Sequence, residues 1–579
     1  MNNQILADLF NRMGTLLEIR GENAFKIRAY HQAADRLSQL AEDVRVLRDQ
    51  DRLSGIPGVG TALKDKIVEY LDSGRVSAYD KLVETVPESL LDIVRVPSVG
   101  PRRAKLFFEH LNIRDIDGLE SAARSGALAE LPGIKTKAVE NILEGIRIVR
   151  QAQSFMMPDE ADRVAAYIIE ELKKLPGIKQ VEAAGSVRRR KEEIRDIDIL
   201  AAASDAGPVM DTFVSLPRVK AVQAQGPTKS SVLMADSIQV DLRVVDPDCF
   251  GAAWLYFTGS KNFNIRLRQV ALRQRKKVSE YGIFSTAGPE EIRLAGETEE
   301  TCFRALGLPF IHPELREEMG MDRIFKGADP REDLLIPELI RLEDIRGDLH
   351  VHSDFSDGKS SIRDMVAGAA ARGYEYVGIS DHSASLTVAG GLSPEDLKRK
   401  RVEIERVQKE FPACRILFGT EVEIDADGNI DYDSGVLKDF DFVIAAIHTG
   451  LEQSRKQLTR RLVKACRNKY VHAIAHPTGV HKGKRDAYEV DLKAVCDAAA
   501  ETRTFLEINA FPVRLDLNSE NVYYARQRGV SFVIDTDSHA TVHLGHMPYG
   551  IGVARRGWLT KEQVLNTLPL KELLKVLQR

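Results

Sequence analysis

No apolar run in the 579 residues approaches the ~20 that a bilayer-spanning helix needs. Nor does the first segment, Met1-Asn2-Asn3-Gln4-Ile5-Leu6-Ala7-Asp8, show the basic-then-apolar order of a secretion signal. Both absences argue against membrane insertion and export. Cysteine is scarce. Cys249, Cys302, Cys414, Cys466 and Cys496 are odd in number and far apart, with no Cys-x-x-Cys pair. That excludes a disulfide framework and a thiolate zinc knuckle, and fits reduced thiols in a cytoplasmic protein. Charge of one sign is also missing: the formal net charge is only -4. A nucleic-acid surface, if present, must therefore be local. Candidates are Arg188 to Lys191 and the set Arg266, Arg268, Arg273, Arg275, Lys276 and Lys277. The length itself suggests about four domains of ~150 residues.

What is present is most specific in the middle of the chain. Gly185-Ser186-Val187-Arg188-Arg189 is followed by Arg195-Asp196-Ile197-Asp198-Ile199-Leu200, and a later strand-like run carries Val240-Asp241-Leu242. Residues two apart on a strand share a face, so Asp196 and Asp198 set their carboxylates side by side. Such neighbours repel unless a cation lies between them. Hard divalent ions take carboxylate oxygens together with substrate phosphates, and a glycine-serine turn with arginines beside it can receive those phosphates. An isolated Asp-x-Asp is more often a solvated edge strand. The turn before it and Asp241 after it favour a nucleotidyltransferase site.

Residues 1 to 150 read as short amphipathic helices broken by three similar turns: Ile56-Pro57-Gly58-Val59-Gly60, Val96-Pro97-Ser98-Val99-Gly100 and Leu131-Pro132-Gly133-Ile134-Lys135. Glycines allow close approach, and the next helix aims its N–H groups at a phosphate, so Gly58, Gly60, Gly100 and Gly133 are candidate contacts to a nucleic-acid backbone. One such turn would be only a tight helix connection. Three within about 80 residues make a helix-hairpin-helix grip the better reading.

The C-terminal third gathers ten of the thirteen histidines after residue 345. Most fall at the ends of short apolar runs, and seven such runs are strand candidates: 346–352, 376–382, 416–421, 440–448, 471–476, 504–509 and 530–539. Helical stretches such as 360–372 and 393–410 separate them, the alternation of a parallel β/α barrel. Histidines and carboxylates at the C-terminal ends of nearly every strand point to a metal cluster.

Together these motifs resemble the bacterial family X DNA polymerases, which are DNA polymerase beta-like and carry a C-terminal polymerase and histidinol phosphatase (PHP) domain. The polymerase match runs from residue 1 to about 318 and includes Tyr256-Phe257-Thr258-Gly259-Ser260, Asn264, Arg268 and Pro309 to Arg316. The resemblance implies a multidomain fold: α-helical helix-hairpin-helix N-terminal domains, an α+β nucleotidyltransferase palm and thumb, and a C-terminal (β/α)7 distorted TIM-like barrel. The expected boundaries are 1–80 (8-kDa-like lyase-type domain), 81–151 (fingers-type DNA-binding domain), 152–247 (palm), 248–318 (thumb), 319–344 (linker, with Gly327-Ala328-Asp329-Pro330) and 345–579 (PHP domain).

By the same resemblance Asp196, Asp198 and Asp241 hold Mg²⁺ or Mn²⁺ and catalyse nucleotidyl transfer. Gly185, Ser186 and Arg189 receive the β- and γ-phosphates, with Arg188 acting at longer range. Tyr256, Phe257 and Gly259 form a tight turn against the incoming sugar, although both aromatics also read as packed core residues. Asn264 reaches the base and Arg268 the template strand. Lys261 stands where polymerase beta has an aspartate. Lys66 matches the Schiff-base lysine of the lyase domain, and Tyr30 and Lys26 fit. Phe25 and Ala62, however, replace a histidine and a lysine that bind the 5'-phosphate, and Lys66 also reads as a solvated helix lysine.

The nine PHP ligands fall on His350, His352, Asp357, His382, Glu421, His448, His476, Asp537 and His539, for up to three Zn²⁺ or Mn²⁺ ions. Glu423 and Glu507 stand behind them, and His472, His481, His543 and His546 fall outside the set. The expected activity is gap filling in DNA repair, with the PHP domain acting as a 3'-5' exonuclease and abasic-site incision left open. Expected partners are gapped or nicked DNA and deoxynucleoside triphosphates, with no membrane, for a monomer in the cytoplasm at the nucleoid. The rival readings are a PHP domain that serves as a small-molecule phosphatase or structural metal module, and a DNA-binding scaffold with little polymerase activity.

Overall fold

The computed structural model describes the chain except residues 1, 39, 41, 42, 57, 154, 236, 237, 326–335 and 579. Pro57 and the linker sequence 327–330 therefore lie outside the described residues. The rest divides into two units, 1–153 with 481–486, and 154–480 with 487–579.

In the first unit, Leu6, Phe10, Leu63, Ile67, Ile93, Phe107, Leu119 and Ile142 belong to one apolar cluster, which spans residues on both sides of position 80. The three turns share a backbone device. Their third residues, Gly58, Ser98 and Gly133, have φ of 81°, 71° and 79°. Glycine takes that left-handed conformation freely, whereas at Ser98 it costs about 1–2 kcal/mol. Helices follow at Thr61–Ser73, Pro101–Leu111 and Thr136–Gln153, the first two beginning directly after Gly60 and Gly100.

The second unit opens with a five-stranded sheet: β1 (Ile178–Ala183), β2 (Asp196–Ala203), β3 (Val219–Gln225), β4 (Lys229–Met234) and β5 (Gln239–Val245), in the order β1-β2-β5-β4-β3. β2 and β5 pair parallel, and the other neighbours pair antiparallel. The sheet buries Val181, Ile197, Ile199, Val240 and Leu242 in one cluster with Val164, Ile168 and Leu172 of the helix Pro158–Lys173 and with Phe213 of the helix Gly207–Val214. Two helices, Phe250–Thr258 and Lys261–Arg273, lead into a three-stranded antiparallel sheet of β6 (Lys276–Ser279), β7 (Gly282–Ser285) and β8 (Ile292–Ala295).

The C-terminal region has seven parallel strands: β9 (Gly347–Val351), β10 (Tyr376–Ile379), β11 (Arg415–Glu423), β12 (Phe442–Ala446), β13 (Ala473–Ile474), β14 (Phe505–Asn509) and β15 (Phe532–Asp535). They line up in chain order. At the open seam Val351 bridges to Ser538, and His352 N–H donates to the Ser538 carbonyl at 2.8 Å, so the ring nearly closes at the C-terminal ends. The strands are buried on both faces, as parallel strands between helices must be. Helices Ile362–Ala371 and Pro394–Gln408 occupy the two stretches expected to be helical.

Candidate active sites

Two clusters of acidic and histidine side chains stand out, one on the mixed sheet and one at the mouth of the barrel.

On the sheet, Ile197 is buried while Asp196 and Asp198 flank it on the other face. The parallel register sets Asp198 opposite Asp241, so three carboxylates converge on two neighbouring strands. Asp198 is pushed up to about 6, first by burial and then by the charges of Asp196 and Asp241. Burial also opposes the charge of Asp241, but Lys229, 2.9 Å away, and hydrogen bonds from Ser231 and Gln239 hold its carboxyl below the usual range. Three carboxylates gathered on neighbouring strands, with Lys229, Arg189 and Arg243 as nearby cations, are suited to divalent ions.

Gly185–Arg188 forms a single helical turn straight after β1. Gly185 has φ of 56°, and a Cβ there would lie 2.2 Å from Asp198 Oδ2, so the turn sits directly over the carboxylates. Ser186 Oγ is buried without a hydrogen-bond partner, as expected of a group whose acceptor or donor is a ligand. The two arginines are held by protein groups. Arg188 lies 3.2 Å over the Trp254 ring and donates to Glu299 at 2.6 and 2.8 Å and to Thr258 Oγ1 at 2.7 Å. Arg189 donates from Nε to Glu317 at 2.6 Å and from Nη1 to the Thr258 carbonyl.

Tyr256 and Phe257 do not belong to a turn, as the sequence had suggested. They end the helix Phe250–Thr258, and the chain reverses at Gly259 alone, with φ of 68°, before Ser260 caps the next helix. The apolar run from Phe250 to Phe257 keeps the backbone helical until a glycine releases it. Asn264 donates to the Tyr256 carbonyl at 2.7 Å, and Arg268 Nε donates to the Asn264 carbonyl at 3.3 Å, which ties both to this corner. Lys66 lies elsewhere, on the helix Thr61–Ser73, where its Nζ donates to the Ala62 carbonyl at 2.9 Å.

At the barrel mouth all nine expected residues meet. Ligand atoms of His352, Asp357, His382 and His539 lie within 4.8 Å of one another, as do those of His350, His352 and Asp537, and those of His382, Glu421 and His448. His476 Nε2 is 3.0 Å from Glu421 Oε1, which brings in the ninth. His352 and His382 each belong to two of the three groups. Ring nitrogens of His350, His352, His382 and His476 are buried and make no well-aligned hydrogen bond. Buried imidazole nitrogens without partners beside ionised carboxylates fit metal ions and are costly otherwise. Burial lowers His352 to about 4, with His539 and His382 adding to the effect. At His382 burial opposes protonation, but Glu421 and Asp357 raise it to about 10.

A further layer orients these rings. His350 Nδ1 is 2.6 Å from Glu507 Oε1, and Glu507 Oε2 accepts from the His476 N–H at 2.6 Å. His448 Nδ1 is 2.9 Å from Glu423 Oε2, and Glu423 also accepts from the Thr449 N–H and hydroxyl. Beneath them a buried lysine, Lys400, pairs with Asp381 at 2.9 Å and donates to the carbonyls of Ile379 and Gly419. Among the four histidines outside the set, His543 and His546 stack on each other at 5.3 Å, and His472 Nδ1 accepts from the Val443 N–H. The sequence had no signal for Arg514, whose Nε lies 3.2 Å from Asp537 Oδ2.

Family models match in the order the motifs run. A helix-hairpin-helix domain covers residues 1–76, a SAM-like helix-hairpin-helix tandem 88–147, the DNA polymerase beta thumb 253–317 and the PHP domain 348–511. The chain is 36% identical over 582 residues to the DNA polymerase/3'-5' exonuclease PolX of Bacillus subtilis (strain 168), with 100% of both proteins covered. A probable phosphatase of Thermoanaerobacter sp. (strain X514) is 30% identical over 38% of this chain and 89% of its own length. DNA polymerase lambda of Rattus norvegicus is 25% identical over 45% of this chain and 48% of its own. With the carboxylate triad under a glycine-serine turn, the histidine-lined barrel mouth and a relative aligned from end to end, the chain belongs to the bacterial family X DNA polymerases that carry a PHP domain.

Proposed function

We propose that the chain is a DNA-directed DNA polymerase that fills short gaps in DNA repair, and that its barrel trims the same DNA as a 3'-5' exonuclease. The observation that carries the polymerase reading is the buried, unpartnered Ser186 Oγ on a turn whose glycine touches Asp198. The end-to-end similarity to a polymerase/3'-5' exonuclease supports both activities in one chain.

Asp196, Asp198 and Asp241 would hold Mg²⁺ or Mn²⁺, which would lower the pKa of a primer 3'-hydroxyl and neutralise charge on the triphosphate. Ser186 and the N–H groups of its turn bind the phosphates, and Arg189 sets a positive charge beside them. Gly259 leaves the sugar-facing corner without a side chain, and Asn264, anchored to Tyr256, stands ready for the base. At the barrel His350, His352, Asp357, His382, Glu421, His448, His476, Asp537 and His539 would hold up to three Zn²⁺ or Mn²⁺ ions, which would polarise a phosphodiester and ready a water for attack. Glu507 and Glu423 fix the tautomers of His350 and His448. The glycine turns of residues 1–150 grip the DNA backbone without reading bases.

One labelled gapped substrate tests this. The wild type should extend and trim. Asp196→Ala with Asp198→Ala should abolish extension and leave trimming, and His448→Ala should do the reverse. Extension by the double variant would overturn the polymerase site. Trimming that survives His448→Ala would favour a small-molecule phosphatase role for the barrel.

A further inference from the structure

Arg189 is bound to more than its own domain. Glu317, which accepts from Arg189 Nε at 2.6 Å, also accepts from Arg556 Nη1 at 3.4 Å, and Arg556 Nη1 lies 3.4 Å from the Arg189 carbonyl. Arg556 is the last residue of the helix Met547–Arg556 in the barrel region, and its side chain is only 6% exposed. Its Nε is 3.5 Å from Glu192 Oε2, whose other oxygen accepts from the Ser519 N–H at 2.9 Å. The four groups alternate in sign as Arg189, Glu317, Arg556 and Glu192. The docking is tight: a Cβ on Gly552 would lie 3.0 Å from Arg190 Cβ, and Arg555 pairs with Glu314 at 2.7 Å.

We infer that Arg556, supplied by the barrel domain, is a positioning residue for nucleotide binding at the polymerase site. The inference rests on the polymerase reading above. Glu317 alone would neutralise Arg189 and hold it away from an incoming anion. With Arg556 on the same carboxylate, part of that negative charge is drawn away from Arg189, which is left less fully neutralised toward a triphosphate. Nε on Glu317 and Nη1 on the Thr258 carbonyl meanwhile fix the plane of its guanidinium. Glu192 holds Arg556 from the far side. The nucleotide site of this chain is thus completed by a residue 367 positions downstream.

The test uses full-length protein on gapped DNA in Mg²⁺, with KM for the deoxynucleoside triphosphate and kcat measured separately. Arg556→Gln should raise KM about tenfold and leave kcat within threefold, as expected for lost ground-state binding. Adding Glu317→Gln keeps an acceptor for Arg189 but removes the competing charge, so the double variant should return KM to within about threefold of wild type. A role in stability alone predicts the opposite, a double variant worse than either single one. An unchanged KM in Arg556→Gln, or a double variant poorer than the single, overturns the inference while the polymerase reading stands. A wild type that extends no primer in Mg²⁺ or Mn²⁺ overturns both. Should Arg556→Gln fail to fold, Glu192→Gln serves. It removes the carboxylate charge that competes with Glu317 for Arg556, while Ser519 Oγ and the Arg189 carbonyl still hold the side chain, so KM should not rise, and a rise of more than threefold refutes the charge-sharing argument.

Discussion

Gly185 stands over Asp198 so closely that a Cβ on the glycine would lie 2.2 Å from the carboxylate oxygen. No side chain fits there, and the φ of 56° would strain one in any case. Gly185→Ala should therefore displace Asp198 or tilt the turn that carries Ser186. A misplacement of about 1 Å at reacting groups costs on the order of 100-fold in rate. Steady-state extension is expected to fall by at least about that factor, with 3'-end trimming by the same preparation unchanged.

Asp198 also sets a pH dependence. Its carboxyl is raised to about 6 in the folded protein, by burial and by Asp196 and Asp241. A raised carboxyl contributes its stability fully below the unfolded value near 4 and loses it as pH rises through 6. In chelator, the palm should then be less stable at pH 7.5 than at pH 4 by up to about 3 kcal/mol from this group. Asp198→Asn should raise the thermal midpoint of the metal-free protein at pH 7.5 and change it little at pH 4. Divalent metal should reproduce the stabilisation in the wild type only. Extension should fall off on the acid side near pH 6, where metal must compete with the proton.

The buried pair of Lys400 and Asp381 gives a prediction about stability. Both side chains are fully buried, 2.9 Å apart, and Asp381 also accepts from the N–H and hydroxyl of Ser353. Removing one partner of a buried pair leaves an uncompensated charge and costs about 3–5 kcal/mol. Lys400→Met should lower the barrel's calorimetric transition accordingly and weaken trimming, because Asp381 precedes His382, one of the proposed metal ligands. Lys400→Met with Asp381→Asn should recover part of that loss.

Much of this was legible in the sequence, and unevenly. The seven strands of the barrel were readable because each ends in a polar residue that an apolar strand does not otherwise need. The three palm aspartates were readable because strand alternation places Asp196 and Asp198 on one face. The turn at Tyr256 and Phe257 was misread: a Tyr-Phe-x-Gly-Ser string does not say which residue leaves the helix, and only Gly259 does. Ser98 holds a left-handed position that glycine fills at Gly58 and Gly133, so its role appears only in the backbone. Arg189 looked free to serve phosphates, because Glu317, 128 positions away, and Arg556 are joined to it only by the fold. Local pattern carries ligand identity. Long-range ion pairs leave no periodic trace.

The carboxylates behind the histidines supply the last prediction. Glu507 takes His350 Nδ1 at 2.6 Å and the His476 N–H at 2.6 Å, and Glu423 takes His448 Nδ1 at 2.9 Å. Neither carboxylate is among the nine residues proposed to hold metal, but each is placed to fix which ring nitrogen faces the centre. Loss of such a partner typically weakens metal affinity by about 10–100-fold. Glu507→Gln and Glu423→Gln should each lose trimming at limiting Zn²⁺ or Mn²⁺ and regain it at higher metal. His350→Ala should not regain it, because a ligand atom is gone. Bound metal, measured by elemental analysis after dialysis at graded concentrations, should shift by the same factor as activity. Extension at the palm, whose carboxylates lie on a separate sheet, should stay at the wild-type rate throughout. Metal affinity unchanged in both glutamine variants would mean that the rings are oriented by the barrel backbone alone.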